Sequence, residues 1–311
     1  MKAFVTGGAG FIGSHLVDRL LADGYHVTAF DNLTEGKEEN LKHLKMNKNF
    51  RFVKGDVRDA DMLYKLLKEH DVVFHMAAQA NIRKSIEDHY GDLQNNLVGT
   101  INILEAMIKN NVKDIVFAST SALYGEASIR PTPETYAPIQ TSLYGASKLA
   151  CEAYAEAYVQ FSSINFWAYR FSNVVGERCR RGVIWDFIHK LKNNPGKLEI
   201  LGNGKQSKEY IHVEDCVNGI LTGYNKSKER VNIFNLAVEE NKTVDEVADY
   251  VIDEMHLHDV KRVYTGGERG WIGDNPIVHL DMTKLKSLGW YPKHTAEDAI
   301  RTTARWTLAN G

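Results

Sequence analysis

Short hydrophobic runs alternate with longer segments of helical spacing up to about residue 169 of this 311-residue chain. This alternation is typical of βαβ units that build a parallel sheet. The pattern predicts six buried strands, at Lys2–Thr6, His26–Asp31, Arg51–Lys54, Val72–His75, Asp114–Ala118 and Ile164–Tyr169. Leucine, isoleucine and methionine recur at helical spacing between these strands. We therefore predict a doubly wound α/β domain of the Rossmann kind over residues 1–169.

Beyond residue 169 the hydrophobic runs become shorter, and glycine turns separate them. Four helices are predicted there, at Val183–Lys192, Asp215–Asn225, Thr243–Met255 and Ala296–Leu308. No Pro- or Ser-rich linker and no internal repeat interrupts the sequence. The second half of the chain is thus expected to form a smaller C-terminal α+β substrate lobe over residues 170–311, with segments that can interleave with the first domain.

Composition and charge exclude several classes of protein. Hydrophobic residues make up 43% and charged residues 25%, which is usual for a folded globular protein. The net charge of −2 with scattered basic residues argues against nucleic acid or an anionic membrane as a partner. No apolar run approaches the roughly 18 residues that span a bilayer. Cys151, Cys179 and Cys216 lie far apart, so we expect no disulfide framework, no metal site and a cytoplasmic location.

A glycine-rich segment follows the first strand and opens an amphipathic helix. It contains Gly8-x-Gly10-x-x-Gly13 and, overlapping it, Gly7-x-x-Gly10-x-x-Gly13. A tight turn, a close backbone approach to a pyrophosphate and a close helix–strand contact all need residues without a Cβ atom. The helix N-terminus then presents N–H groups to an anion. The segment predicts a dinucleotide site formed by Gly7, Gly10, Phe11, Ile12 and Gly13.

An acidic residue at the end of the second strand indicates which dinucleotide is bound. Asp31 follows Gly13 by 18 residues, where a carboxylate binds the ribose hydroxyls. The same charge repels a 2′-phosphate, so NAD is expected rather than NADP. Asp56 and Val57, after the third strand, are expected near the adenine, although Asp56 could instead cap the next helix.

The catalytic signal is a Tyr-x-x-x-Lys pair at the start of a helical stretch. Tyr144 and Lys148 lie one turn apart on one helix face, and Ser119-Thr120-Ser121 directly follows the fifth strand. Ligands of open α/β sheets bind at this carboxyl edge. An ammonium about 4 Å away is worth about 4 kcal/mol at an effective dielectric near 20, enough to lower a tyrosine pKa of about 10 by about three units. Tyr144 is therefore predicted to accept a hydroxyl proton, with Thr120 bonding the same oxygen.

Together these residues carry a family resemblance that extends over essentially the whole chain. The matching motifs are Thr6–His15, Gly55-Asp56, His75–Ala78, Ser119–Ser121 with Tyr124-Gly125, Tyr144–Lys148, Arg170–Gly176, Leu201–Gln206, Tyr210–Val213, Arg269–Asp274 and Leu288–Trp290. The sequence resembles the extended short-chain dehydrogenases, specifically the NAD-dependent nucleotide-sugar epimerase/dehydratase family, and within it the archaeal-type UDP-glucose 4-epimerases. The resemblance implies further contacts with NAD from Asn32, Ala77, Ala78 and Asn95, as well as from Tyr144 and Lys148.

The resemblance also implies a nucleotide-sugar site. Its residues would be Arg83, Asn173, Val183, Gln206, Lys208, Tyr210, Arg269, Asp274 and Val278. Asn173 could instead only satisfy a turn, and Arg269 could be a solvated charge. Lys208 occupies the place of the family's phosphate-contacting arginine, and a lysine keeps the charge but loses the bidentate fork. His212 is interpreted as a structural histidine on a strand.

Two positions after Thr120 distinguish the reactions of the family. The family's dehydratases carry an Asp-Glu pair there, and its decarboxylases carry a glutamate at the second place, whereas this chain has Ser121 and Ala122. Neither residue exchanges protons at neutral pH, so the resemblance favours 4-epimerisation of a UDP-hexose through a 4-keto intermediate. The alternatives are an epimerase for UDP-GlcNAc or UDP-glucuronate, a dehydrogenase of a small alcohol such as threonine, and a non-catalytic NAD-binding regulator.

Two further expectations concern substrate breadth and assembly. Val278 occupies the place where family members restricted to plain hexoses carry a bulky tyrosine, so it could admit an N-acetylhexosamine, unless neighbouring loops close the site. The segments Asn95–Asn110 and Ser142–Phe161 carry apolar side chains on more than one helix face. In this family such helices pair across a two-fold axis, which implies a homodimer; the alternative is that both helices are merely packed within the subunit.

Overall fold

The computed structural model describes residues 1–82 and 84–311. Its strands are β1 (Lys2–Thr6), β2 (His26–Asp31), β3 (Phe50–Lys54), β4 (Val72–His75), β5 (Asp114–Thr120), β6 (Asn165–Phe171), β7 (Asn173–Val175), β8 (Lys197–Ile200), β9 (Ser207–His212), β10 (Val231–Leu236), β11 (Asn241–Thr243) and β12 (Lys261–Tyr264). Its α-helices are α1 (Phe11–Ala22), α2 (Ala60–Leu66), α3 (His89–Asp92), α4 (Gly99–Asn110), α5 (Leu143–Phe161), α6 (Val183–Asn193), α7 (Val213–Lys226), α8 (Val244–Glu254), α9 (Thr283–Ser287) and α10 (Ala296–Asn310).

The large sheet has seven strands in the order β10-β6-β5-β4-β1-β2-β3. β1 pairs in parallel with both β2 and β4, and the pairs β2–β3 and β4–β5 are also parallel. The predicted α/β Rossmann fold is confirmed, and all six predicted strands are present. The predicted number of strands is wrong, because β10 adds a seventh strand beside β6. Its residues lie far along the chain, in the part predicted to form the C-terminal lobe.

The chain divides into two compact units. The first unit comprises residues 1–123, 142–170 and 220–234, and the second comprises residues 124–141, 171–219 and 235–311. The chain passes from one unit to the other after Arg170, and segments of the two units interleave along the sequence. The Phe166 N–H in β6 donates to the Arg230 carbonyl, directly before β10, and residues 220–234 belong to the first unit.

Consecutive buried residues in the strands build the core of the first unit. Phe4, Phe30 and Phe117 lie in one buried cluster with side chains of α4 and α5. Strands covered on both faces read as continuous apolar runs, which explains why these segments were recognisable in the sequence. Burial of one such side chain contributes roughly 1.5–3 kcal/mol.

The second unit contains two small sheets, β11-β9-β7 and β12-β8. Helices α6, α8 and α10 pack against one another. Two of them begin where the sequence supplies a capping box, from Thr243 with Glu246 at α8 and from Thr295 with Asp298 at α10. The four helices predicted for this half are present, with ends that differ by one or two residues. No helix within the described residues is both long and apolar enough to cross a membrane.

Candidate active site

The glycine-rich turn between β1 and α1 has the geometry of a phosphate-binding loop. Gly7 has φ of +65°, and a Cβ atom there would lie 2.7 Å from the backbone nitrogen of Ala77. A Cβ atom on Gly13 would collide with the Gly7 carbonyl oxygen. Gly10 precedes α1 and offers no side-chain cap, so the first N–H groups of the helix, including those of Phe11 and Ile12, donate to no capping side chain. These uncapped donors fit the pyrophosphate of a dinucleotide.

Asp31 is the last residue of β2, and its side chain bonds to the glycine-rich turn. Its carboxylate is buried and accepts bonds from the N–H groups of Ala9, at 3.0 Å, and Leu33, at 2.8 Å. Burial raises the pKa of Asp31, while the backbone bonds oppose that shift. A carboxylate has about four acceptor positions, so Asp31 retains acceptors for ribose hydroxyls.

The predicted adenine contacts lie after β2 and β3. The Asn32 amide donates to Asp56 Oδ2 at 2.9 Å, and the guanidinium of Arg58 pairs with the same carboxylate. Arg58 is the main cause that holds the pKa of Asp56 well below its usual range. Val57 is buried. The alternative in which Asp56 caps the next helix is wrong, because Asp59 accepts the capping bond at the start of α2.

A buried chain of hydrogen bonds extends from Ala77 to α4. The Ala77 N–H donates to the Thr6 hydroxyl at 3.2 Å, and Thr6 lies 2.7 Å from His75 Nδ1. On the other side of the ring, His75 Nε2 lies 3.1 Å from the Thr100 hydroxyl, which itself donates to the Asn96 carbonyl at 2.6 Å. Since Thr100 donates to Asn96, His75 Nε2 must carry the proton toward Thr100. Burial lowers the pKa of His75 to about 3, so the ring stays neutral.

The structure distinguishes two adjacent asparagines that the sequence could not. Asn95, predicted to contact NAD, is half-buried and donates to the Gly91 carbonyl at 2.7 Å. Asn96 is buried and bonds to both Gln79 and the Ser147 hydroxyl. Residues 93–98 form a π-helical turn, which shifts the helical phase there. Asn96 was not among the predicted site residues, and Ala78, which was, is half-buried beside Gln79.

Helix α5 presents the predicted catalytic pair. The Ser142 side chain accepts a bond from Gly145 N–H and caps the helix, so Tyr144 lies in the first turn and is half-buried. Lys148 is 1% exposed, and its Nζ donates to the Ala118 carbonyl at 2.7 Å. Burial lowers the pKa of Lys148 to about 8. The lysine is charged at neutral pH and joins α5 to β5.

Thr120 ends β5, two residues beyond the carbonyl that Lys148 binds. Its hydroxyl accepts a bond from Ala122 N–H at 3.1 Å, within a short 3₁₀ turn over residues 121–124. Thr120, Tyr144 and Lys148 all belong to the first unit. A hydroxyl, a phenol and an ammonium on these two adjacent elements can bind and deprotonate an alcohol.

In the second unit, two predicted substrate residues face each other on paired strands. Asn173 begins β7 and pairs in register with Tyr210 of β9. Burial raises the pKa of Tyr210 well above its usual value, so its phenol stays protonated. Asn173 is thus part of a strand rather than a turn. Val183 begins α6, directly after Gly182 with φ of +88°.

Lys208 and Asp274 form a largely buried ion pair. The Lys208 Nζ lies 2.5 Å from Asp274 Oδ1 and 5.2 Å from the centre of the Trp271 ring. The other carboxylate oxygen of Asp274 accepts the N–H of Gly270 at 3.0 Å. Lys208 therefore anchors the segment that carries Arg269.

The remaining predicted substrate residues differ in exposure. Arg269 forms an ion pair with Glu126, and its side chain remains 55% exposed. It is therefore a paired charge at the surface, rather than a purely solvated or a buried one. Gln206 is buried, and its Nε2 donates to the Leu201 carbonyl at 3.0 Å. Among the described residues its Oε1 has no hydrogen-bond partner. Val278 is half-buried, and its N–H donates to the Ser207 carbonyl at 3.0 Å. Arg83 lies outside the described residues.

His212, interpreted from the sequence as a structural histidine, lies against a second histidine ring. Its ring lies 4.2 Å from that of His294, with 32° between the ring planes, and Asp215 accepts a bond from His294 Nδ1 at 2.9 Å. With Glu214 the two rings place possible ligand atoms within 4.8 Å of one another.

The sheet, the glycine turn, Asp31 and the Tyr144–Lys148 pair define an enzyme of the dinucleotide-dependent short-chain dehydrogenase class. A model of the NAD dependent epimerase/dehydratase family matches residues 3–237. The chain belongs to this family, and NAD is its cofactor. Bound NAD supplies reversible hydride transfer, and the turn, the uncapped N-terminus of α1 and Asp31 are the groups that would hold it.

Relatives with assigned substrates are similar over their whole length. A Methanocaldococcus jannaschii protein with a provisional name as a UDP-glucose 4-epimerase is 37% identical over 98% of both chains. The solved UDP-glucose 4-epimerase of Thermotoga maritima, with UDP-glucose, is 33% identical over 99% of both chains, with a TM-score of 0.90. The UDP-N-acetylglucosamine 4-epimerase of Methanobrevibacter ruminantium, in complex with UDP-N-acetylmuramic acid, is 31% identical, with 100% of this chain and 99% of that chain covered and a TM-score of 0.90.

Proposed function

We propose that the protein catalyses NAD-dependent 4-epimerisation of a UDP-hexose of the UDP-glucose/UDP-galactose type, through a transient 4-keto sugar. The observation that carries the proposal is the identity of the two residues after Thr120. Ser121 and Ala122 form a short turn that presents no carboxylate. Elimination and decarboxylation need an acid or base at these places, whereas hydride exchange at C4 does not.

The first unit supplies the proton transfer. Tyr144 accepts the proton of the C4 hydroxyl and returns it after the sugar has turned, while Thr120 bonds the same oxygen. The buried charge of Lys148 favours the phenolate of Tyr144, since one ammonium at about 4 Å is worth about 4 kcal/mol at an effective dielectric near 20. Because the pKa of Lys148 is about 8, this support is present at neutral pH and is lost as the pH rises further.

The second unit supplies groups for the nucleotide diphosphate. Arg269 would exchange Glu126 for the diphosphate, because its side chain is 55% exposed and a guanidinium pairs with phosphate as it does with a carboxylate. Lys208 adds a positive charge, and Asn173 donates from its amide. Val183, Gln206, Tyr210 and Asp274 would shape the nucleotide site.

The experiment is the interconversion of UDP-glucose and UDP-galactose, followed by the anomeric proton resonances of the two sugars. We expect conversion from either side to one equilibrium mixture, without net formation of NADH. Net NADH formation from threonine would replace the proposal with a dehydrogenase. Binding of NAD without turnover of any UDP-sugar would indicate a regulator.

A second candidate substrate is a UDP-N-acetylhexosamine, and Val278 favours it. A valine side chain is smaller than a tyrosine ring by several heavy atoms, and the M. ruminantium relative is named a UDP-N-acetylglucosamine 4-epimerase. Overpacking a rigid site costs roughly 1–3 kcal/mol, or about 5- to 150-fold in binding. Val278→Tyr should therefore lower turnover of UDP-GlcNAc relative to UDP-glucose by that factor. A wild type that ignores UDP-GlcNAc, or a variant with an unchanged ratio, would show that Val278 does not select the substrate.

We also propose that the protein is a homodimer in which the helical segments Asn95–Asn110 and Ser142–Phe161 pair across a two-fold axis. Leu143, Tyr154 and Phe161 of α5 are exposed, as are Tyr90 and Leu93. Exposed apolar side chains concentrated on one helix are typical of an interface rather than of a monomer surface. Light scattering should give twice the chain mass of 35.1 kDa at micromolar concentration. A particle of the single-chain mass would contradict this arrangement.

A further inference from the structure

A buried ion pair lies beside the catalytic residues of the first unit, and the proposed reaction does not use it. Glu152 of α5 and Arg170 of β6 are both buried. Arg170 Nη2 donates to Glu152 Oε2 at 2.6 Å, and its Nε lies 3.2 Å from each carboxylate oxygen. The Ser119 hydroxyl donates to Glu152 Oε1. We call these three residues the serine–ion-pair cluster.

The cluster makes a second connection between α5 and β5, beside the one made by Lys148. Glu152 follows Lys148 by one turn of α5, and the two side chains bond to consecutive residues of β5. Lys148 binds the Ala118 carbonyl and Glu152 binds the Ser119 hydroxyl. Thr120 is the next residue along the chain. Two bonds one turn apart fix the register of α5 against the end of β5, which a single bond would leave free to pivot.

We propose that Ser119, Glu152 and Arg170 are positioning residues that set Thr120 against Tyr144 for proton transfer at the sugar hydroxyl. The inference rests on the proposed function. Two groups that act on one oxygen must be held closely, since a displacement of about 1 Å can cost on the order of 100-fold in rate. Thr120 is carried by β5 and Tyr144 by α5, so their geometry depends on how these elements are joined.

The arginine explains how a carboxylate can serve in this place. An unpaired carboxylate in a buried site is unfavourable, and its orientation would not be fixed. Arg170 compensates the charge and, through its fork of donors, fixes the plane of the carboxylate. Glu152 then presents a carboxylate oxygen in a fixed orientation, to which the Ser119 hydroxyl donates. A buried ion pair of this kind specifies geometry more than it adds stability.

The charge of Glu152 has a second, separable effect. Burial opposes the protonated form of Lys148, the carboxylates of Glu152 and Asp92 favour it, and His75 on β4 is neutral. Glu152 thus helps to keep the ammonium that supports the phenolate of Tyr144. A change that removes only the hydroxyl of Ser119 leaves this charge in place, so the two effects can be measured apart.

The first variant is Ser119→Ala, which keeps the ion pair. We expect kcat to fall about 10- to 100-fold with KM changed by less than about threefold. The pH limits of kcat should not move, because no charge has changed. Amide hydrogen exchange at Thr120 and Ser121 should become about tenfold faster or more. Ser227→Ala is the matched control, because Ser227 also bonds a buried side chain, Asn232, but takes no part in the site; it should leave kcat and exchange at Thr120 unchanged.

The second variant is Glu152→Gln, which removes the charge as well. Loss of a negative charge lowers the pKa of nearby acids, here the Tyr144 phenol and the Lys148 ammonium. The acidic and the basic limits of the pH profile of kcat should therefore both move to lower pH. Glu152→Asp keeps the charge and should restore the pH limits of the wild type without restoring the full rate. If Glu152→Gln does not fold, Ser119→Ala and Glu152→Asp still decide the matter.

Different outcomes would contradict the two proposals. Ser119→Ala with kcat within twofold of the wild type and unchanged exchange at Thr120 would overturn the role of the cluster. A wild type without turnover of any UDP-sugar would overturn the proposed function instead. In that case the exchange at Thr120 and Ser121 still tests whether Ser119 and Glu152 hold the end of β5.

Discussion

The two units hold their functional residues in different ways. In the first unit, Asp31 and Lys148 are buried and bond to backbone groups of neighbouring strands and turns. In the second unit, Lys208 and Arg269 are held by carboxylates of side chains, Asp274 and Glu126. Backbone bonds fix a group before any ligand arrives. Side-chain ion pairs can be exchanged for a ligand that carries the same charge, as a nucleotide diphosphate does.

This difference predicts two kinds of variant. Changes in the first unit should affect the chemical step and leave binding of the sugar nucleotide largely intact. Changes in the second unit should weaken binding and leave the chemical step largely intact. Kinetic constants separate the two, because loss of uniform binding raises KM while loss of transition-state interactions lowers kcat.

The largest effect is expected from Tyr144→Phe. The variant removes the proton acceptor but leaves the glycine turn and Asp31 untouched, so kcat should fall by 10²- to 10⁴-fold while NAD stays bound. Activity is assayed with UDP-glucose and UDP-galactose, and NAD content is measured in the same preparation. A variant that retains more than about a tenth of the wild-type rate would show that Tyr144 is not the base.

How much of the fold could be predicted depended on how far apart in the sequence the interacting residues lie. β1 to β6 were predicted because buried parallel strands are continuous apolar runs. β10 was missed because only its pairing with β6, formed after some 60 intervening residues, makes it part of the large sheet. The same pairing explains why residues 220–234 belong to the first unit.

The candidate site shows the same dependence on range. The contacts of Gly7, Gly13 and Asp31 follow from spacing within one βαβ unit, and the sequence predicted these residues. Asn96 could not be distinguished from Asn95, because a π-helical turn sets which of them is buried. The bond of Lys208 to Asp274 joins residues 66 positions apart, and no local sequence pattern predicts it.

An intermediate effect is expected from Lys208→Met, which removes the charge but keeps most of the volume. The diphosphate loses a positive charge, and Asp274 loses the partner that anchors Gly270 and Arg269. A hydrogen bond to a charged group contributes about 1.5–3 kcal/mol, so KM for the UDP-sugar should rise about 10- to 150-fold with kcat nearly unchanged. Lys286→Met, which breaks a surface pair with Glu239, serves as the control. An equal loss in kcat would contradict the distinction drawn between the two units.

The last prediction concerns stability rather than activity and compares two buried glutamates. Glu152 of the first unit has Arg170, whereas Glu209 of the second is buried with one bond, from Leu280 N–H at 3.0 Å, and burial raises its pKa to about 8. A raised pKa means that the folded protein binds the proton more tightly than the unfolded chain does. The contribution of Glu209 to the free energy of unfolding is therefore complete below about pH 4.5 and is lost as the pH rises to about 8, by at most about 1.4 kcal/mol per pH unit.

Glu209→Gln cannot ionise, so its free energy of unfolding should decline less than that of the wild type over this interval, as measured by urea unfolding at several pH values. Glu229→Gln, at an exposed site, should follow the wild type. Parallel curves for Glu209→Gln and the wild type would show that Glu209 is already ionised in the folded protein at neutral pH.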